Sequence, residues 1–167
     1  TYQDLWQSAN ITTLNTYGAA IQLKIHLNSI FDDNFLIQNF TINYAYTNIE
    51  KSSGTFESYY SLDFLRHNAS LASELKITKK LSWQWQMLFQ DRNGLYDYFD
   101  EIQNKFTDLR PYESFFIINS KLRYQHNALS FFISADNLLN KTYFDLGNIE
   151  MPGRWLKAGV SIHIDYL

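Results

Sequence analysis

Polar and apolar residues alternate with a period of two along seven stretches of this chain. The cleanest is the last, where Lys157, Gly159, Ser161, His163 and Asp165 fall on one side and Ala158, Val160, Ile162, Ile164 and Tyr166 on the other. Successive side chains of a β-strand point to opposite faces, so each run predicts a strand with one apolar and one polar side. The other six runs are Thr16–Leu27, Phe35–Thr47, Asn68–Ile77, Leu81–Asp91, Phe115–Tyr124 and Ala128–Asn137. Runs of about 10–13 residues exceed the usual strand of a soluble sheet and suit a tilted strand that crosses a bilayer.

The connections alternate as well. Long ones, Asn48–His67, Arg92–Ser114 and Leu138–Arg154, follow the second, fourth and sixth runs. Short ones, Thr78–Lys80 and Gln125–Asn127, follow the third and fifth, and Asn28–Asn34 is intermediate. Short turns on one side and long loops on the other are the layout of an outer-membrane barrel. The expected fold is therefore all-β, an antiparallel transmembrane β-barrel segment of seven or eight strands. Bacterial barrels use even strand numbers, and an open apolar sheet would leave unpaired edges in lipid. Either Thr1–Ala9 supplies an eighth strand, or the chain is part of a larger barrel. Its abrupt opening, "TYQDLWQSAN", favours the larger barrel. We see one domain spanning residues 1–167 and no linker.

The apolar sides decide between lipid and a protein core. They place aromatics toward strand ends: Tyr44, Tyr46, Tyr124 and Tyr166. The polar sides collect Gln, Asn, Lys, Glu, Asp and Arg, as a wet interior does, with Lys24, Lys76, Lys121 and Arg123 near Glu74 and Asp136. Aromatic girdles mark membrane barrels, and a soluble lipocalin-like barrel is the competing reading. Aromatics make up 17% of the chain, which supplies such girdles. A net charge of −3 gives no reason to expect nucleic acid, and the chain has no cysteine for a disulfide or a thiolate metal site. No apolar run reaches the length of a transmembrane helix. His26, His67, His126 and His163 are scattered without ligand spacing, so no metal or cofactor is expected. Nothing resembles a nucleophile elbow, and no enzymatic activity is expected.

The stretch Ser134–Leu167 resembles the C-terminal end of TonB-dependent outer-membrane receptors. Asn137-Leu138-Leu139-Asn140-Lys141-Thr142-Tyr143 and Pro152-Gly153-Arg154 match that family's segments in order and approximate spacing. The final strand is similar to the signal read by the barrel-assembly machinery, carried here by Lys157, Gly159, Ile162, Ile164 and Tyr166. The family usually ends on an aromatic, and this chain ends on Leu167. Upstream, "NITTLNTYGAAIQLKI" is similar to another family strand, with Ala20 where Glu is usual. The resemblance implies the C-terminal part of a 22-stranded receptor of the cobalamin or siderophore type in the bacterial outer membrane. Its plug domain and TonB contact would lie in a region absent from this chain. The implied partners are outer-membrane lipid, TonB, the assembly machinery, a small nutrient ligand and possible surface lipoproteins. The alternative is a self-contained eight-stranded structural or adhesive outer-membrane barrel.

One loop invites a ligand. "DRNGLYDYFDEIQNK" gathers Tyr96, Asp97, Tyr98, Phe99 and Asp100, with Asp91 and Glu101 beside them. These five are the expected ligand contacts. The loop lacks the spacing of an EF-hand.

Overall fold

The computed structural model describes residues 13–31, 35–51 and 64–163. The chain is all-β. Its strands are β1 (Leu14–His26), β2 (Ile37–Lys51), β3 (Leu65–Lys76), β4 (Leu81–Arg92), β5 (Leu95–Asp100), β6 (Lys105–Pro111), β7 (Phe115–His126), β8 (Leu129–Asp136), β9 (Phe144–Leu146), β10 (Ile149–Glu150) and β11 (Trp155–Ile162). One short helical turn, α1 (Leu27–Ile30), follows β1. Among the described residues no helix is long and apolar enough to cross a membrane, which says nothing of strands.

Seven strands form one antiparallel sheet in the order β1-β2-β3-β4-β7-β8-β11. Each of the seven alternating runs is one of these strands. The sheet is open, with β1 and β11 as its edges. Because the strands alternate in direction and number seven, the two edges run the same way. The hairpins β5–β6 and β9–β10 stand apart from the sheet. They occupy Arg92–Ser114 and Leu138–Arg154, which the sequence pattern left as loops. Leu27, read as the last strand residue, opens α1 instead. The expected eighth strand at Thr1–Ala9 lies outside the described residues, as do Ile164 and Tyr166.

The register separates the two faces. One row of paired residues reads Leu23, Ile42, Leu71, Met87 and Ile118, and the next toward the short turns includes Ile25, Phe40 and Trp85. Leu122, Ile133 and Ala158 continue this face across the far strands. The opposite face carries the row His26, Asn39, Glu74, Gln84, Lys121, Ser134 and Lys157. A β-bulge between Ile37 and Asn39 turns Ile37 toward Leu75, which keeps it with the apolar residues despite its odd number.

That polar row also measures how the strands slope. It meets β1 at its last residue and β11 near its start. Strand midpoints therefore step steadily toward the short turns from β1 to β11. The drop is about seven to eight residues, ~25 Å, across about six inter-strand steps of ~4.8 Å, which is a tilt of about 40°. Strands that slope this much are the geometry by which a sheet curls into a barrel.

Little of the sheet is covered. Among the described residues no side chain is fully buried, and β1 is exposed along almost its whole length on both faces. On the apolar face Ile21 is 66% exposed, Ile133 63%, Leu156 66% and Ile162 65%. The few buried apolar residues include Tyr112, Phe115 and Ile117, at the long-loop end. Phe115 and Ile117 sit on the polar face, where the segment after β8 folds back over them.

Candidate functional site

The segment 138–154 is a strap held at both ends by two asparagines. The chain leaves β8 through Asn137 at φ +48° and turns again at Asn140 at φ +53°, a region that Asn tolerates better than most residues. The Asn137 Oδ1 accepts the Lys141 backbone N–H at 2.8 Å, and its Nδ2 donates to the carbonyls of Lys141 at 2.8 Å and Pro152 at 3.3 Å. Its own backbone N–H donates to Asn119 Oδ1 at 3.0 Å. The Asn140 Oδ1 accepts the Arg154 N–H at 2.8 Å. A Cβ on Gly153 would stand 2.8 Å from that same oxygen, so only glycine leaves the bond undisturbed. Asn137 is 3% exposed, and every polar atom of its side chain is used. The two sequence segments Asn137–Tyr143 and Pro152–Arg154 thus form one knot, with the strap looped out between them.

Three contacts press the strap against the neighbouring loop. Arg92 pairs with Asp145 at 2.8 Å. The Tyr112 hydroxyl accepts the Gly147 N–H at 2.8 Å. Tyr96 stacks on Phe144, with ring centres 5.6 Å apart, and meets Tyr112 at 5.0 Å. Tyr143 packs on Phe115 at 4.4 Å, and partial burial pushes its phenol pKa up, with the Asp145 carboxylate adding to the shift.

Between the strap and the β5–β6 hairpin lies a cavity of about 380 Å³. Tyr96, Tyr98, Tyr143 and Phe144 line it, with Arg110 and Lys141. Its volume falls within the range of small-molecule sites. Of the five loop residues expected to contact a ligand, the structure brings Tyr96 and Tyr98 to this cavity. Asp97, Phe99 and Asp100 do not line it. Asp97 is exposed. Phe99 packs edge-on against Phe106 across the hairpin. Asp100 accepts the N–H groups of Ile102 at 2.8 Å and Gln103 at 3.1 Å, and so shapes the hairpin turn. Arg110, Lys141 and Phe144 were not legible as site residues: Arg110 reaches Tyr96 by cross-strand pairing in a hairpin the pattern left as a loop, and Lys141 and Phe144 come from a second loop far away in sequence.

A second, wider groove of about 780 Å³ runs over the polar face from β2 to β11. Its charged groups are largely internally matched. Asn39 donates to Glu74 at 3.3 Å, and Lys157 pairs with Asp136. Of the four cations expected near Glu74 and Asp136, Lys121 lines this groove with both acids, and its ammonium sits over the Phe132 ring at 4.5 Å. That ring lies across Gly159, where a Cβ would meet it at 2.6 Å. The glycine of the terminal strand therefore has a local reason: it is the floor on which Phe132 rests. Lys157 lines this groove, Gly159 lies on the same face beneath Phe132, and Ile162 lies on the apolar face opposite Leu129. Among the described residues no cluster of His, Asp or Glu is placed to hold a metal ion.

No family model, curated protein or solved structure matches this chain.

Proposed function

We propose that the chain is the C-terminal wall of an outer-membrane β-barrel receptor of the TonB-dependent kind, importing a small nutrient. The observation that carries this reading is the one-sided sheet. Its apolar face is continuous across seven strands and largely exposed, and soluble monomers rarely leave so large an apolar patch open to water. Aromatics band this face at both ends: Tyr17, Tyr46, Phe89 and Phe116 toward the long loops, Phe40, Trp83, Tyr124 and Phe131 toward the short turns. Aliphatic residues such as Leu71, Ile118 and Ile133 lie between. That is the arrangement expected of strands whose middle meets acyl chains and whose ends meet headgroups. The strand tilt of about 40° fits the barrel range, and the strap knot uses the residues that resemble the receptor family.

Parity adds a constraint. Two edges that run the same way close without a parallel pair only through an odd number of further strands. An eighth strand alone satisfies this, and so does a larger barrel. The larger barrel is favoured because an eight-stranded interior is just wide enough for side chains to fill it. Here the polar-face bonds run between neighbouring strands, as from Gln22 to Asn43 and from Asn43 to Ser70, and β1 is exposed on both sides. In this reading the lumen-facing groove meets a plug, the assembly machinery reads the last strand, and TonB acts through the preceding region. Surface lipoproteins are compatible partners, and the chain carries wall and loops rather than catalysis.

Expression of residues 1–167 alone, behind a signal peptide, tests this. The expected result is no heat-modifiable monomer in detergent extracts, with the intact protein giving one that is lost when Ile162–Leu167 is deleted. A protease-resistant, heat-modifiable barrel from residues 1–167 alone would establish the eight-stranded alternative instead.

A further inference from the structure

We infer that the cavity between the β5–β6 hairpin and the strap binds a small organic anion that carries a planar ring. This rests on the receptor reading for its biological purpose, and on the loop geometry for its chemistry. Three features point to this ligand class.

The first is the lining. Tyr96, Tyr143 and Phe144 present aromatic surface, and rings of this kind bind other planar rings by offset or edge contacts. The second is charge. Arg110 and Lys141 line the cavity with one acid, Glu113. Among the described residues none of the three forms an ion pair. The Arg110 guanidinium instead lies on the Tyr98 ring, 3.4 Å from its centre. Stacked this way, a guanidinium is fixed in orientation and keeps its in-plane fork of N–H donors for a carboxylate. The third is rigidity. The Arg92–Asp145 pair, the Tyr112–Gly147 bond and the Asn137 knot hold both walls in place before any ligand arrives. Preorganisation of this kind lowers the ordering cost of binding.

The same features weigh against other ligands. A cation would be repelled by Arg110 and Lys141. A neutral sugar would stack on the tyrosines but would leave both cations without a counter-charge. An aliphatic acid would satisfy the cations and forgo the ring contacts. The cavity lies at the long-loop end beside Phe115, a polar-face residue, which in the receptor reading is the side from which a nutrient arrives.

The test uses the intact protein purified from outer membranes in detergent, titrated calorimetrically with benzoate, benzamide, cyclohexanecarboxylate and glucose. Benzoate should bind at least about tenfold more tightly than benzamide or cyclohexanecarboxylate. Arg110→Gln should remove the preference for benzoate over benzamide, Arg110→Lys should keep part of it, and Tyr98→Leu should weaken benzoate while leaving heat-modifiability unchanged. Equal binding of benzoate and benzamide, an undiminished preference in Arg110→Gln, or glucose as the tightest ligand would overturn the inference. Heat-modifiability is read on the same samples. A protein that inserts as a barrel and ignores benzoate refutes the anion site alone. A protein that binds benzoate and never shows a heat-modifiable barrel refutes the receptor reading alone.

Discussion

At the scale of single residues, two asparagines and two glycines account for most of the terminal motif. Asn137 acts as a small hub, closing the strap through both atoms of its amide while its backbone takes a left-handed turn. Replacing it with alanine leaves part-buried carbonyl and N–H groups of Lys141 and Pro152 unmatched and places a Cβ residue without a local hydrogen bond at positive φ. The cost should be about 2–4 kcal/mol, read as a lower melting temperature and faster proteolysis within 138–154. Asn137→Gly relieves the backbone but not the lost bonds, so it should fall between the two; a glycine variant as stable as wild type would remove the clamp from the account. The four-residue spacing of Asn137 and Lys141 was visible in the sequence. What it does was not, because the partner carbonyl of Pro152 comes from the far end of the strap.

At the scale of elements, the alternating runs mapped onto strands because a half-buried strand needs period-two patterning and little else. The β3 and β4 residues Leu71 and Met87 meet as the pattern implied, and short turns joined the expected neighbours, at Thr78–Lys80 as read and at Asn127–Ala128 rather than Gln125–Asn127, because Gln125 and His126 still pair with β8. The two outlying hairpins escaped notice for a physical reason. Their strands are short, and β6 carries a bulge between Phe106 and Leu109, opposite Asp97 and Phe99, that breaks the alternation. Their pairing is stabilised by contacts such as Phe99 with Phe106 and by the Asn104 turn at φ +50°, rather than by one apolar face. The same two-sidedness sets a prediction for the sheet itself. Arginine at Ile133, in the middle of the apolar face, should destabilise the folded protein by roughly 2–4 kcal/mol in lipid, while arginine at Gln86 on the polar face should cost much less. Denaturant titration in vesicles measures both, and equal costs would mean that the two faces share one environment.

At the scale of the whole molecule, the central claim is that a seven-stranded sheet with no interior of its own is completed by lipid on one side and a wet lumen on the other. Every described strand of the sheet contributes to that division, from Ile21 in β1 to Val160 in β11. These 167 residues contain no cysteine, so a single introduced one is the only thiol label site on either face of this sheet. The most direct measurement is spin-label accessibility in the intact protein reconstituted in bilayers, with one label at Ile133 and another at Gln84. The account predicts that the label at position 133 collides freely with oxygen and hardly with a water-soluble nickel chelate, and that the label at position 84 does the reverse. Ready access of the chelate to both positions, or the opposite pairing, would contradict it.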